Sequence, residues 1–126
     1  MKMLLTVLVV DDIEGIRIQL KMRLEAVGYR VIEASNGHEA IEAASRDCPD
    51  LIIMDRSMPL MDGFTASRRI REKGGRYGKI PILALSADSS KDMKAAAIQA
   101  GCNDYFNKLT EVDQLISAIA SFLRTK

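Results

Sequence analysis

What this sequence lacks excludes several classes of protein. No apolar stretch approaches the roughly 18 residues that a membrane-spanning helix needs, so we expect no membrane contact. The first apolar run leads into Asp11 and Asp12 rather than a small-residue cleavage site, and we predict no signal peptide. Cys48 and Cys102 lack metal-type spacing and are predicted to be buried, reduced thiols of a cytoplasmic protein. The single histidine, His38, is predicted to lie at the surface.

A strong overall charge is also absent. The net charge of +1 gives no electrostatic case for binding nucleic acid. A length of 126 residues with 48% apolar side chains predicts one globular domain over residues 1–126. One segment departs from this balance, because six cations stand there against Glu72 alone. The segment is either a solvated face or a docking surface for an acidic partner. Its six cations are Arg68, Arg69, Arg71, Lys73, Arg76 and Lys79.

Apolar runs alternate with helix-period segments along the whole chain. This pattern is typical of repeated strand–helix units around a parallel sheet, and it predicts a three-layer α/β/α sandwich. The first, third and fourth strands are almost entirely apolar and are predicted to be central. The predicted strands are Leu5–Val10, Arg30–Ala34, Leu51–Met54, Ile80–Leu85 and Asp104–Asn107. The predicted helices cover 13–27, 37–46, 64–72, 90–100 and 112–123, with 74–79 as a surface loop.

Chemically useful side chains follow these strands where each one ends. Asp11 and Asp12 follow the first strand, Asp55 the third, Ser86 the fourth and Lys108 the fifth. Carboxyl ends of parallel strands meet at one edge of a sheet, so we expect the five to converge. Gathered carboxylates repel one another, and Mg²⁺ would remove that cost. A carboxylate can accept a phosphoryl group, whose oxygens the lysine and serine could hold. The pattern predicts a metal-assisted phosphoryl-accepting site.

Each of these residues taken alone has a plainer interpretation. An aspartate after a strand commonly caps the next helix, and a serine there is often only a turn hydroxyl. A lone surface lysine is usually just solvated. The occurrence of all five, in order on the expected strands, favours the site.

The sequences around these strand ends resemble the motifs of receiver domains of two-component response regulators. The similar segments are Val-Leu-Val-Val-Asp-Asp, Asp-Arg-Ser-Met-Pro-Leu-Met-Asp-Gly, Ile-Pro-Ile-Leu-Ala-Leu-Ser-Ala and Ala-Gly-Cys-Asn-Asp-Tyr-Phe-Asn-Lys. The resemblance covers essentially the whole chain, and the longer spellings look most like receivers attached to hybrid histidine kinases. It implies a flavodoxin-like fold with parallel sheet order 2-1-3-4-5, and a single receiver domain without an output domain.

The resemblance also implies roles for particular residues. Asp55 would accept a phosphoryl group from a phosphohistidine of a sensor histidine kinase or a histidine phosphotransfer protein. Ser86 and Lys108 would hold the phosphoryl oxygens. Self-directed phosphotransfer and autodephosphorylation would be the only reactions, so the domain would not be an enzyme in the usual sense. The cofactor would be Mg²⁺ or Mn²⁺, with ligands from Asp12, Asp55, the backbone carbonyl of Ser57 and, through water, Asp11.

A conformational switch is a further implication of the resemblance. Ser86 would move toward the phosphoryl group and Tyr105 would turn inward. The face made by the fourth helix, fifth strand and fifth helix would then signal to a downstream protein whose identity the sequence does not give, and it could form a homodimer. Ser57 and Asp88 occupy positions that tune the lifetime of the phosphoryl group in this family.

One departure from the family pattern concerns the residue after Lys108. The family usually has a proline there, joined by a cis peptide, whereas this chain has Leu109. A cis bond before another residue costs about 2.5–4 kcal/mol, so we predict a trans Lys108–Leu109 bond and a reshaped loop. This departure keeps open a degenerate receiver that binds partners without phosphorylation.

Two other functions fit less well. An aspartate-nucleophile phosphatase needs a second acid two residues after the nucleophile, where this chain has Ser57. A flavin carrier of the same topology would want a hydroxyl-rich loop after the first strand and aromatic residues around the flavin. The chain has two aspartates there and no tryptophan.

Overall fold

The structure is a computed structural model that describes residues 4–88 and 90–123. Five strands and five α-helices alternate in this part of the chain, and a 3₁₀ helix, Tyr77–Lys79, precedes the fourth strand. No helix among these residues is long and apolar enough to cross a bilayer. The elements are β1 (Thr6–Val10), α1 (Glu14–Ala26), β2 (Arg30–Ala34), α2 (Gly37–Asp47), β3 (Leu51–Asp55), α3 (Gly63–Glu72), β4 (Ile82–Ser86), α4 (Lys91–Gln99), β5 (Asp104–Asn107) and α5 (Val112–Leu123).

The strands form one parallel sheet in the order β2-β1-β3-β4-β5. This confirms the predicted flavodoxin-like topology, with β1, β3 and β4 in the centre. Leu8 of β1 pairs with Ile52 of β3, which pairs in turn with Ile82 of β4. All three side chains are fully buried, as expected for strands covered on both faces.

Alternate residues of the central strands supply two separate hydrophobic cores. Leu8 and Ile52 belong to the core that is closed by α2, α3 and α4. Val9 and Ile53 belong to the opposite core, which is closed by α1 and α5. Successive side chains of a strand point to opposite faces, so the continuous apolar runs fill both layers at once. The result is the predicted three-layer sandwich.

Helices α2, α3 and α4 each begin at a residue whose side chain caps the helix. The side chains of Asn36, Asp62 and Ser90 accept hydrogen bonds from the backbone N–H groups three residues further on. Helix α1 differs, because Ile13 at its N-cap position has no side-chain hydrogen bond. The Asp11 side chain instead accepts a hydrogen bond from the N–H of Ile13, just before this helix.

The predicted boundaries need a few corrections. Strands β3 and β4 each run one residue further, so that Asp55 and Ser86 are their last residues. Strand β4 begins at Ile82 rather than Ile80, because Pro81 has no N–H to pair. The first helix was predicted from apolar residues that recur from Ile13 to Val27, and this apolar stripe is wrong at its ends, since both side chains are exposed. The segment predicted as a plain loop contains the 3₁₀ helix.

Candidate functional site

Three carboxylates converge at the carboxyl edge of the sheet. The side chains of Asp11, Asp12 and Asp55 each offer an oxygen, and these atoms lie within 4.8 Å of one another. Strands β1 and β3 are neighbours, with Val10 opposite Met54, so the residues that follow are brought side by side. Asp11 and Asp55 are buried, whereas Asp12 is exposed. The sequence-based expectation of an acidic cluster is met at this edge.

Among the described residues, Lys108 is the only cation that contacts this cluster. Its Nζ lies 3.0 Å from Oδ1 of Asp55 and 3.2 Å from Oδ2 of Asp11. The lysine follows β5, and its backbone N–H donates to the Ser86 carbonyl at 2.9 Å, which aligns the loop with the end of β4. One positive charge therefore faces two buried carboxylates.

The carboxylate oxygens are incompletely satisfied by the protein. Within the described part of the chain, Oδ2 of Asp55 is buried and has no hydrogen-bond partner, and Oδ2 of Asp11 has only its ion-pair contact with Lys108. The remaining Oδ1 of Asp11 accepts a hydrogen bond from the backbone N–H of Ile13 at 2.9 Å. Buried oxygens without partners are costly, and carboxylate oxygens are the ligands that Mg²⁺ prefers. The residues present therefore fit a divalent cation.

Burial and crowding shift the ionisation of this cluster. Burial, with the neighbouring charge of Asp11, raises the pKa of Asp55 to about 6, although Lys108 opposes the rise. Burial alone would lower the pKa of Lys108. The hydrogen bond and charge of Asp55, together with the charge of Asp11, outweigh burial and raise that pKa. The lysine stays charged, and ionised Asp55 is destabilised relative to an ordinary aspartate.

The start of α3 packs directly against the end of β3. A Cβ placed on Gly63 would lie 2.1 Å from the carbonyl oxygen of Asp55, so only glycine fits at this position. The backbone N–H of Gly63 also donates to the carbonyl of Arg56 at 2.9 Å. The loop between β3 and α3 is thus fixed relative to Asp55.

Ser86 and Tyr105 are linked through Asp88 rather than directly. The Ser86 hydroxyl accepts a hydrogen bond from the backbone N–H of Asp88 at 3.1 Å. Tyr105 is buried, and its hydroxyl donates to the Asp88 carbonyl. The Asp88 carboxylate accepts from the N–H of Ser90, which lowers the pKa of Asp88. Among the described residues, Ser86 makes no hydrogen bond to the carboxylate cluster. Sequence reasoning missed Asp88 as the link.

The loop after β5 uses a donor that a proline would lack. The Lys108–Leu109 bond is trans, as predicted. The side chain of Asn107 accepts hydrogen bonds from the N–H groups of Leu109 at 2.8 Å and Thr110 at 3.1 Å. The backbone N–H of Asn107 donates to the carboxylate of Glu111 at 2.8 Å. An asparagine with a glutamate four residues later, just before an apolar helix, was the sequence signal for this arrangement.

Two arginines have structural roles that sequence reasoning missed. Arg17 donates to the Asp11 carbonyl at 2.8 Å and supports the turn that carries the acidic pair. Arg71 was assigned to the basic surface segment, but it is half-buried and donates to three carbonyls and one side-chain amide oxygen. Its acceptors are Gly78 (3.1 Å), Ile80 (2.6 Å), Gly101 (2.8 Å) and Asn103 (2.9 Å).

The sequence-based assignments of His38, Cys48 and Cys102 concern residues away from the site. His38 is exposed, as predicted. Cys102 is buried and its thiol contacts the Ser67 hydroxyl at 3.6 Å, whereas Cys48 is only half-buried. The prediction of a buried Cys48 is wrong because this residue ends α2 in a left-handed conformation at φ 47°. The role of the Ser57 carbonyl stays a prediction.

Comparison with known proteins identifies the family. The model of the response regulator receiver domain matches residues 7–120. The chain belongs to this family. Among curated proteins, it is 36% identical over 118 residues to the response regulator MprA of Mycobacterium leprae, covering 94% of this chain and 50% of that protein. The chain thus spans about half the length of the curated relatives it matches.

Solved structures of receiver domains agree with the fold. The chemotaxis protein CheY4 of Vibrio cholerae has a TM-score of 0.88 at 30% identity, covering 96% of this chain and all of that one. The receiver domain of a Pseudomonas aeruginosa sensor histidine kinase has a TM-score of 0.85 at 30% identity, covering 95% and 98%. That structure has a magnesium ion coordinated in its active site cleft. Receivers of both regulators and kinases are therefore similar to this receiver.

Proposed function

We propose that Asp55 of this receiver domain accepts a phosphoryl group from a phosphohistidine of a sensor histidine kinase or a histidine phosphotransfer protein. The observation that carries the proposal is the state of the Asp55 carboxylate. One oxygen accepts a hydrogen bond from Lys108 at 3.0 Å, and the other is buried without a hydrogen-bond partner among the residues that the structure describes. A carboxylate held in this way has an oxygen available as a nucleophile.

The transfer itself needs little from the protein beyond charge and position. An oxygen of Asp55 forms a bond to phosphorus as the phosphorus–nitrogen bond of the phosphohistidine breaks, and the electron pair remains on the imidazole. Lys108 stays positioned to neutralise a phosphoryl oxygen. Attack of water on phosphorus would later return Asp55 and inorganic phosphate. This self-directed hydrolysis is the only turnover that we propose.

The acidic cluster supports a requirement for Mg²⁺ or Mn²⁺. Asp12 and Asp55 would hold the ion with the Ser57 carbonyl, and Asp11 would act through a bound water. When bound, the cation supplies the positive charge that three carboxylates and an incoming phosphoryl group require. The magnesium ion in the similar kinase receiver supports this assignment.

The switch is proposed to run through Asp88. The Ser86 hydroxyl and the Tyr105 hydroxyl each bond to the backbone of Asp88, so a Ser86 that turns toward a phosphoryl oxygen alters the loop that Tyr105 contacts. The surface of α4, β5 and α5 would report this change to a downstream protein. A homodimer through α4 and α5 stays a prediction. The free thiols of Cys48 and Cys102 fit the cytoplasm as the compartment.

The test is intact mass after incubation with Mg²⁺ and a small acyl-phosphate donor. We expect one phosphoryl adduct on the parent protein and none on Asp55→Asn. The matched control is Asp92→Asn, an exposed aspartate of α4 that should retain the adduct. Absence of an adduct on the parent, under conditions that modify another receiver, would contradict the proposal and favour a receiver that acts without phosphorylation.

A further inference from the structure

Helix α3 and the segment after it concentrate positive charge. Of the eighteen lysines and arginines of the chain, six lie within residues 64–79, against one of the seventeen carboxylates. Arg71 is occupied by backbone carbonyls, and the other five side chains are exposed. These five form what we call the α3 basic face: Arg68, Arg69, Lys73, Arg76 and Lys79.

The α3 basic face has no counter-charge of its own. Within the described residues, none of its five cations has a carboxylate oxygen within 4.0 Å. Outside residues 64–79, six of the nine cations that the structure describes do, namely Arg17, Lys21, Arg23, Arg46, Lys94 and Lys108. Surfaces of soluble domains ordinarily intersperse the two signs. The positive charge on this face is therefore available to carboxylates of another molecule.

Two hollows adjoin the α3 basic face, and each combines cations and one carboxylate with apolar side chains. One, of about 500 Å³, is lined by Met58 and Phe64 together with Arg68. The other, of about 410 Å³, lies between α2 and α3 and is lined by Met61 together with Arg69. The neighbouring arginines of α3 thus serve different hollows, and a ligand lying across the helix can reach both.

The loop before α3 presents an apolar side chain between the two hollows. Leu60 is 93% exposed and has a φ of 71°, a left-handed conformation that leucine rarely adopts. The N–H of Met61 donates to the Pro59 carbonyl at 2.8 Å, which closes a γ-turn around Leu60. Pro59 lines the first hollow and Met61 the second. The turn holds a leucine out in water where a partner could cover it.

We propose that the α3 basic face and Leu60 together dock an acidic amphipathic segment of a partner protein. Carboxylates of that segment would pair with Arg68 and Arg69, and its apolar side chains would cover Leu60. A nucleic acid suits the surface less well, because an exposed leucine offers a polyanion no favourable contact. The docking does not depend on phosphorylation, so Asp55→Asn is expected to retain it.

The probe for this proposal is a fluorescein-labelled synthetic peptide in which leucines recur every third or fourth position among glutamates. Fluorescence anisotropy measures its binding to the intact protein at several salt concentrations. We expect binding that weakens with salt and falls about fivefold in Arg68→Gln/Arg69→Gln. The control with the same loss of charge is Arg30→Gln/Lys91→Gln, which removes two exposed cations from β2 and α4 and should bind as the parent does. Neither cation has an ion-pair partner among the residues that the structure describes.

The apolar half of the proposal has its own pair of variants. Leu60→Asn keeps a residue that tolerates positive φ while removing the apolar side chain, and we expect about tenfold weaker binding. Leu109→Asn changes a leucine that is 72% exposed on another loop and should have no effect. Equal losses in test and control variants, no binding by the parent, or tighter binding of a DNA duplex than of the peptide would each overturn the proposal.

Discussion

Two regions of this receiver domain gather charge of one sign, and they do so under opposite conditions. At the carboxyl edge of the sheet, two of three clustered carboxylates are buried and share one cation, Lys108. On the α3 basic face, five cations are exposed, and none of them has a carboxylate partner among the described residues. Water screens the exposed group, so its repulsion costs little. The buried group lacks that screening, so its charges are coupled to the stability of the fold.

The largest effect should come from removing the cation of the acidic edge. Lys108→Met keeps most of the side-chain volume but leaves Asp11 and Asp55 buried without a counter-charge. We expect a loss of about 3–5 kcal/mol in the free energy of unfolding at neutral pH without divalent cations. Urea denaturation measures the change, with the exposed Lys91→Met as control. A loss no larger than that of the control would show that the buried charges are not coupled to stability.

Removing the charge of the acceptor, Asp55, should increase the free energy of unfolding rather than lower it. The pKa of Asp55 is raised from 3.8 to about 6, so the folded state binds more protons than the unfolded state between these values. Stability therefore falls as pH rises through this window, and ionised Asp55 costs about 3 kcal/mol above it. Asp55→Asn should be more stable than the parent by up to that amount at pH 7.5, without divalent cations.

The pH dependence distinguishes this effect from a change in packing. The gain from Asp55→Asn should shrink as pH falls and disappear below the unfolded-state pKa, because Asp55 is then neutral in both states. Denaturation curves at several pH values measure it, with Asp92→Asn as the exposed control. A gain that persisted unchanged in acid would contradict the electrostatic explanation.

A smaller effect is expected from the loop that positions Lys108. Leu109→Pro removes the N–H that donates to Asn107 and should cost about 1–2 kcal/mol. Leu109→Ala keeps the N–H and serves as the control, since the leucine side chain is mostly exposed. Thermal and urea denaturation measure both variants. Equal stability of the proline and alanine variants would show that this hydrogen bond contributes nothing.

The smallest effect should come from the α3 basic face. Arg68→Gln/Arg69→Gln removes two exposed charges that have no ion-pair partner among the described residues, so we expect a change in stability within about 0.5 kcal/mol. The same denaturation series that reports on Lys108→Met measures it. A large loss here would mean that the exposed cations support the fold and would erase the contrast between the two regions.

The sequence was informative where chemistry follows directly from strand ends. Asp11, Asp55 and Lys108 could be placed at one edge, because each follows an apolar run and parallel strands share a direction. The sheet order came from the resemblance to the receiver family, since alternating elements alone allow several orders. Even the trans bond before Leu109 followed from a local energy difference.

What the sequence did not reveal depends on loops meeting across the fold. Arg71 resembles its charged neighbours in sequence, and only the return of the chain at Gly101 and Asn103 gives it acceptors. The resemblance marked Asp88 only as a position that tunes the phosphoryl lifetime, yet its backbone joins Ser86 to Tyr105. The exposure of Ile13 likewise reflects where α1 begins, which no cap signal fixed. Such contacts are set by tertiary geometry rather than by spacing.

The hydrogen bonds of Arg71 bear on how α4 can move. They hold Gly101 and Asn103, which follow the C-terminal end of α4, against the end of α3. The other end of α4 begins at the Ser90 cap beside Asp88, on the acceptor side of the sheet. A rearrangement that starts at Ser86 therefore meets the end of α4 that lies opposite the Arg71 hydrogen bonds. We expect it to rotate α4 about a hinge at Gly101, with the displacement greatest at Lys91 and least at Gln99.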